Sequence, residues 1–148
     1  MFHSQQIFVL FIALAFTSCV GPRKLNEHNS WSVEFSKGNC MDVCDSYDIY
    51  IDHSRKYIYK GHYNVKYIGE KTGFISSNQL YELKKLLDSL DWISYKPQYG
   101  SPGTGIQRKA LLFSSKNQIR SVTYYRLEPQ QIRDLELFID QLITLDDI

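Results

Sequence analysis

From Trp31 onward the chain alternates. Trp31, Val33 and Phe35 fall on one parity and Ser32, Glu34 and Ser36 on the other, the period-two signature of a strand with one buried face. The alternation returns where Tyr47, Ile49 and Ile51 interleave with Asp48, Tyr50 and Asp52. A turn over His53 to Lys56 then predicts a hairpin. In the next stretch Tyr57, Tyr59, Gly61, Tyr63, Val65 and Tyr67 oppose Ile58, Lys60, His62, Asn64, Lys66 and Ile68. This pattern predicts one long strand, or two with a bulge or bend near Gly61, ended by Gly69 and Gly73. Because Lys60, His62, Asn64 and Lys66 are solvent residues, the tyrosine parity is the expected buried face.

The period then changes. Leu80, Leu83, Leu86, Leu87 and Leu90 form a helical stripe, and Ser76 with Gln79 supplies a capping box at its start. Ile132, Leu135, Phe138, Ile139 and Leu142 form a second stripe. Pro129 stands before it, where a residue without an N–H costs nothing. Between the helices lie a loop over residues 94–109 and two apolar runs, ALLFSS and QIRSVTYY, parted by Lys116-Asn117, which predict a second hairpin. The expected fold is α+β: an antiparallel sheet in the order strands, helix, hairpin, helix, with both amphipathic helices packed on one face.

The first thirty residues follow neither period. Ile7 to Phe16 is an unbroken apolar run, about half the ~20 residues of a membrane-spanning helix, and small residues Thr17 and Ser18 precede Cys19. That is the layout of an export signal. LAFTSC resembles the lipobox of bacterial lipoproteins, although Phe16 stands where leucine is usual. The resemblance implies cleavage before Cys19 and acylation of its thiol. More than one acyl chain would make anchoring stable. Three segments are therefore expected: a signal peptide over 1–18, a lipidated Cys19 with a flexible tether over 19–30, and a single domain over 31–148. The tether has a root-mean-square reach of about 18 Å. Val20 is not the aspartate associated with inner-membrane retention, and no acidic run of the kind linked to surface export follows it. The expected location is the outer membrane, facing the periplasm.

Charge adds little: 17 basic and 16 acidic residues balance at +1, giving no reason to expect nucleic acid or a strongly acidic partner. Candidate chemistry centres on Cys40 and Cys44, in GNCMDVCDSYDIYI. An oxidising compartment favours a disulfide between them. A redox-active pair is the rival reading, but Asp42 and Asp45 oppose a thiolate and the spacing exceeds that of C-x-x-C. A zinc set of Cys40, Cys44, His53 and His62 lacks the usual close ligand spacing. Asp42, Asp45, Asp48 and Asp52 lack the alternate spacing and glycine of a calcium loop, which leaves them as solvated charges. The 94–109 loop holds Gly100, Gly103 and Gly105, followed by Arg108 and Lys109. It runs from helix to strand and lacks the Lys-Ser/Thr of a phosphate loop. Long loops carry contacts, so Tyr99, Gly100, Gly103, Gly105 and Arg108 form the candidate contact surface. No catalytic residue, metal or cofactor is assigned.

Gly38, Cys40, Cys44, Tyr47, Tyr59 and Gly61, with Tyr124, Tyr125, Pro129 and Leu135 further on, resemble bacterial lipoproteins that carry the domain of unknown function 6438. Asp45 departs from that pattern where proline is usual, Ser54-Arg55 replaces an Asp-Gly turn, Tyr57 replaces valine, and the 97–105 loop lacks a Thr-Asp pair. The resemblance implies an outer-membrane lipoprotein without an assigned activity. The expected role is therefore a non-catalytic binding module for an unidentified envelope protein or glycan, held to the membrane by its N-terminal lipid. The alternatives are a thiol–disulfide protein using Cys40 and Cys44, or an inhibitor or immunity lipoprotein.

Overall fold

The computed structural model describes residues 30–145. The expected signal segment, Cys19 and nearly all of the expected tether lie outside these residues. Nine elements follow: β1 (Trp31–Lys37), β2 (Ser46–Asp52), β3 (Lys56–Tyr63), β4 (Gly69–Phe74), α1 (Ser77–Ser89), β5 (Gln98–Tyr99), β6 (Lys109–Ser115), β7 (Gln118–Tyr124) and α2 (Gln130–Leu145). The strands form one sheet in the order β4-β3-β2-β1-β6-β7-β5. Long antiparallel hairpins flank β1, so the first strand of the domain is central, paired with β2 on one side and β6 on the other.

The alternation read from sequence sorts the two faces. Val33, Phe35, Tyr47, Ile49, Ile51, Tyr57, Tyr59, Leu111, Phe113, Val122 and Tyr124 are buried on one face beneath the helices. Both stripes close over them, with Leu83 and Leu87 from α1, Leu90 at its C-cap, and Ile132, Leu135, Ile139 and Leu142 from α2. The capping box is present: the Ser76 hydroxyl accepts from the Gln79 N–H, and the Gln79 side chain accepts from the Ser76 N–H at 2.6 Å. The opposite sheet face carries Glu34, Asp48, Lys60 and His62, all exposed, and no described helix covers it.

Three expectations are corrected. The sheet is mixed, because β5 joins the outer edge of β7 in parallel. A strand of two residues between Pro97 and Gly100 has no periodicity to announce it. The element order differs accordingly, with four strands before α1 and β5 before the second hairpin. The long tyrosine stretch has the expected irregularity beside Gly61, where the β2–β3 register shifts between Tyr47↔Gly61 and Ser46↔Tyr63, but the strand breaks at Asn64, which has φ 52°, and Gly69 and Gly73 lie inside the returning β4 instead of ending the strand. Tyr57 and Tyr59 are buried, but Tyr63 and Tyr67 beyond the β3 core are exposed.

Gly61 has a steric duty besides its place at the register shift. It pairs with Tyr47 on one side and Gly69 on the other, while the returning loop crosses directly over it. A Cβ there would lie 1.9 Å from the Tyr67 carbonyl oxygen and 2.8 Å from Val65, so only glycine allows the crossing. Gly61→Ala is expected to lower stability by about 2 kcal/mol, read as a lower urea midpoint. An unchanged midpoint would remove the loop from above Gly61.

Candidate functional site

Two places in the domain gather polar chemistry. The first was not singled out from sequence. Across the sheet, Tyr47, Lys37, Lys109 and Tyr124 stand in one row, each in register with the next. Lys37 continues the buried parity of Val33 and Phe35, and Lys109 is its partner on β6. Two cations side by side on a core face demand counter-charge, and α2 brings it. Glu136 and Asp140 are one helical turn apart and point down at the row.

The pairing is tight. Lys37 Nζ lies 2.6 Å from Asp140 Oδ2 and 3.0 Å from Glu136 Oε1, and Lys109 Nζ lies 2.6 Å from the same Glu136 oxygen. The Tyr124 hydroxyl donates to Glu136 Oε2 at 3.0 Å, and the Tyr47 hydroxyl donates to Asp140 Oδ1. Each ammonium also lies close to an aromatic ring, Lys37 at 5.6 Å from the Tyr47 centroid and Lys109 at 5.6 Å from that of Tyr124. The lattice holds two lysines, two carboxylates and two phenols, and its formal charges cancel.

Protonation follows from these contacts. Burial opposes charge on Lys37, but the bonds and charges of Asp140 and Glu136 outweigh it and raise its pKa. Burial likewise opposes charge on Glu136, but the Lys109 bond and the charges of Lys37 and Lys109 hold its carboxyl below the usual range. Burial, reinforced by Asp140 and Glu136 respectively, pushes the Tyr47 and Tyr124 phenols far above theirs. All four shifts follow from burial and from the pairing of these side chains with one another. The lattice is therefore read as an ionic rivet between sheet and helix.

The second place joins features that the sequence offered separately. Cys40 and Cys44 stand at disulfide distance, with Cα atoms 6.0 Å apart, at the end of the sheet where β1 leaves and β2 begins. The end of the 94–109 loop packs beside them. The Gly38 N–H donates to the Arg108 carbonyl at 2.8 Å. The Gln107 side-chain amide donates to the carbonyls of Gly38 at 2.8 Å and Asp45 at 2.7 Å. Gln107 thus spans the cysteine segment from before Cys40 to after Cys44. Within the segment, Met41 and Val43 are each 76 % exposed. Beside it a depression of about 350 Å³ is lined by Asn39, Asp48, His62 and Arg108, among others. His62 Nε2 there pairs with Asp48 at 2.8 Å.

The candidate contact residues divide. Arg108 belongs to this end of the sheet, its guanidinium 3.5 Å from the Thr123 hydroxyl. Tyr99 is half-buried in β5, edge-on to the Tyr95 ring. Gly100 turns the chain at φ +69°, where a Cβ would press on the Arg126 carbonyl at 2.9 Å. Between Gly100 and Arg108, Gly103 is exposed and Gly105 is half-buried in a turn with Thr104. Among the four acidic residues, Asp45 accepts from Asn64 and Asp52 from Ser54, while Asp48 takes His62. The imagined zinc set does not gather: among the described residues no group of metal-ligating side chains converges.

A family model described as a domain of unknown function (DUF6438) matches residues 32–143, from β1 to near the end of α2. No curated protein matches the chain.

The rivet has a pH signature. Glu136 is more acidic in the fold than in the unfolded chain, so its stabilisation is present above the ordinary carboxylate pKa and disappears as pH falls through the lower folded value. Glu136→Gln is expected to cost on the order of 3 kcal/mol at pH 7, measured by urea unfolding. The gap to the parent should narrow on acidification, because the parent's carboxyl is then neutral as well. A pH-independent gap would contradict the assignment.

Proposed function

The chain belongs to the family of the domain of unknown function DUF6438, and from that premise we propose that it is a lipid-anchored envelope protein working as a non-catalytic binding module. Acylation of Cys19 would tether the domain to the outer membrane on its periplasmic side. The cysteine end of the sheet would meet a protein or glycan of the envelope.

One observation carries this reading. Met41 and Val43 project into solvent from a segment closed by Cys40 and Cys44 and braced by Gln107. Exposed apolar side chains on a mobile loop would lose conformational entropy when a partner ordered them. Fixing the loop in advance reduces that cost. The arrangement therefore suits recognition, and the disulfide is a structural part of it. Among the described residues no helix is long and apolar enough to cross a membrane.

Both parts can be tested separately. Mass spectrometry of the protein from membranes is expected to find an N-terminal peptide beginning at acylated Cys19, and an unmodified N-terminus elsewhere would end the anchoring proposal. Envelope extract passed over the immobilised domain is expected to yield a stoichiometric partner that Met41→Asp/Val43→Asp fails to retain. Equal retention would move the contact surface elsewhere. Insulin reduction abolished by Cys40→Ser would instead establish the thiol–disulfide alternative.

A further inference from the structure

The two outer strands of the sheet are finished differently. At one edge, β4 carries Glu70 and Lys71 along a short strand, the charged termination that discourages added strands. At the other edge, β5 covers only the end of β7, pairing with Thr123 and Tyr124. The Thr123 N–H donates to the Pro97 carbonyl and the Tyr125 N–H to the Tyr99 carbonyl. Odd-numbered residues of β7 therefore direct their backbone groups outward, while even-numbered ones bond to β6. The same alternation aims the N–H and C=O groups of Ile119 and Ser121 outward, beyond the point where the chain leaves the edge at Pro97. No described strand pairs with them.

A groove runs beside this uncovered edge. Trp92, Ile93, Tyr95, Ile119, Arg120 and Val122 are among the residues lining a space of about 420 Å³. Its floor is firm, since Trp92 stacks on Phe113 with centroids 5.4 Å apart. Its rim is uncovered: Ile93 is 91 % and Ile119 68 % exposed. Arg120 opposes Phe113 in register, which places it on the core-facing parity, yet it is exposed. No carboxylate among the described residues pairs with it.

We propose that this edge accepts an extended segment of a partner protein as an added strand, with apolar side chains for the groove and a carboxylate for Arg120. Open main-chain groups supply the hydrogen bonds common to all such additions, while the pocket beside them supplies selectivity. The lone cation favours an acidic–apolar strand over a second copy of this chain. Two β7 edges meeting about a twofold axis with Ile119 opposite Ser121 would set Arg120 against Arg120, and like charges directly opposite are unfavourable. This surface is separate from the cysteine end and stands or falls without it.

The probe is a fluorescein-labelled peptide of about six residues alternating glutamate with isoleucine, the minimum extended acidic–apolar strand. It is titrated into the full chain, in detergent where solubility requires. Saturable binding is expected, with amide exchange slowed at Ile119 and Ser121. Ser121→Pro removes one outward N–H while leaving the β6 ladder its donors, and Arg120→Glu inverts the charge. Each is expected to weaken binding at least about tenfold. Ile93→Ser, at a side chain too exposed to matter for folding, should weaken it less but measurably. A lysine–isoleucine peptide should bind more weakly than the glutamate one. Absence of saturable binding overturns the proposal, as does binding indifferent to Ser121→Pro and Arg120→Glu in folded variants. Self-association of the chain that protects the same amides and excludes the peptide overturns it in favour of a second copy.

Discussion

The fold turns on the contact between two lysines of the sheet and two carboxylates of α2. Lys37 and Lys109 are neighbours on adjacent central strands, and each would be a costly charge on a core face if left alone. Glu136 and Asp140 remove that cost only when α2 lies at one height and one rotation over β1 and β6. The apolar stripe of Ile132, Leu135, Ile139 and Leu142 tolerates small slides, because dispersion and hydrophobic burial are non-directional. The ionic contacts do not. Replacement of the whole group by packed apolar residues could be equally stable, so the distinctive contribution of the rivet is positional.

The same reasoning fixes strand register. Moving β1 by one residue past β6 would turn Lys37 to the open face and bring Ser36 inward, along with Glu34. Moving it by two would preserve the inward parity but carry Lys37 away from Asp140 and Glu136. The alternating apolar pattern rejects the first slip, whereas the charged pair is needed to reject the second. Tyr47 and Tyr124 extend this control to β2 and β7, since each hydroxyl bonds to one of the two carboxylates. One row of side chains thus coordinates four strands with a helix.

Much of this was legible in the alternation. Residues 31 to 59 declared their buried parity, both helices declared their stripes, and Ser76 with Gln79 declared a cap. What was missed has identifiable causes. Strand β4 contains Gly69 and Gly73, which read as terminators because glycine packs poorly in strands. Here Gly73 makes room for the Tyr57 ring, whose hydroxyl would lie 2.6 Å from a Cβ at that position. Strand β5 is too short to show a period. The rivet was hidden because lysine at the end of an apolar alternation reads as a solvent cap. Extending the β1 parity to Lys37, and noticing Glu136 and Asp140 beside the α2 stripe, would have exposed it. The cysteine end was half legible: the bond was expected, but the arrival of Gln107 depends on a tertiary approach that spacing cannot encode.

The position of the rivet also bears on where recognition can occur. Its side chains are committed to one another, so partner binding at that row would have to break contacts already made. The sheet ends and edges carry no such cost. Met41 and Val43 stand exposed on a braced segment, and no described strand pairs with the outward groups of Ile119 and Ser121. A domain that fixes its centre with directional charge pairs can leave its periphery incompletely covered without losing register. The exposed apolar and main-chain groups consequently lie at the ends and the edge of the sheet that the rivet holds in place.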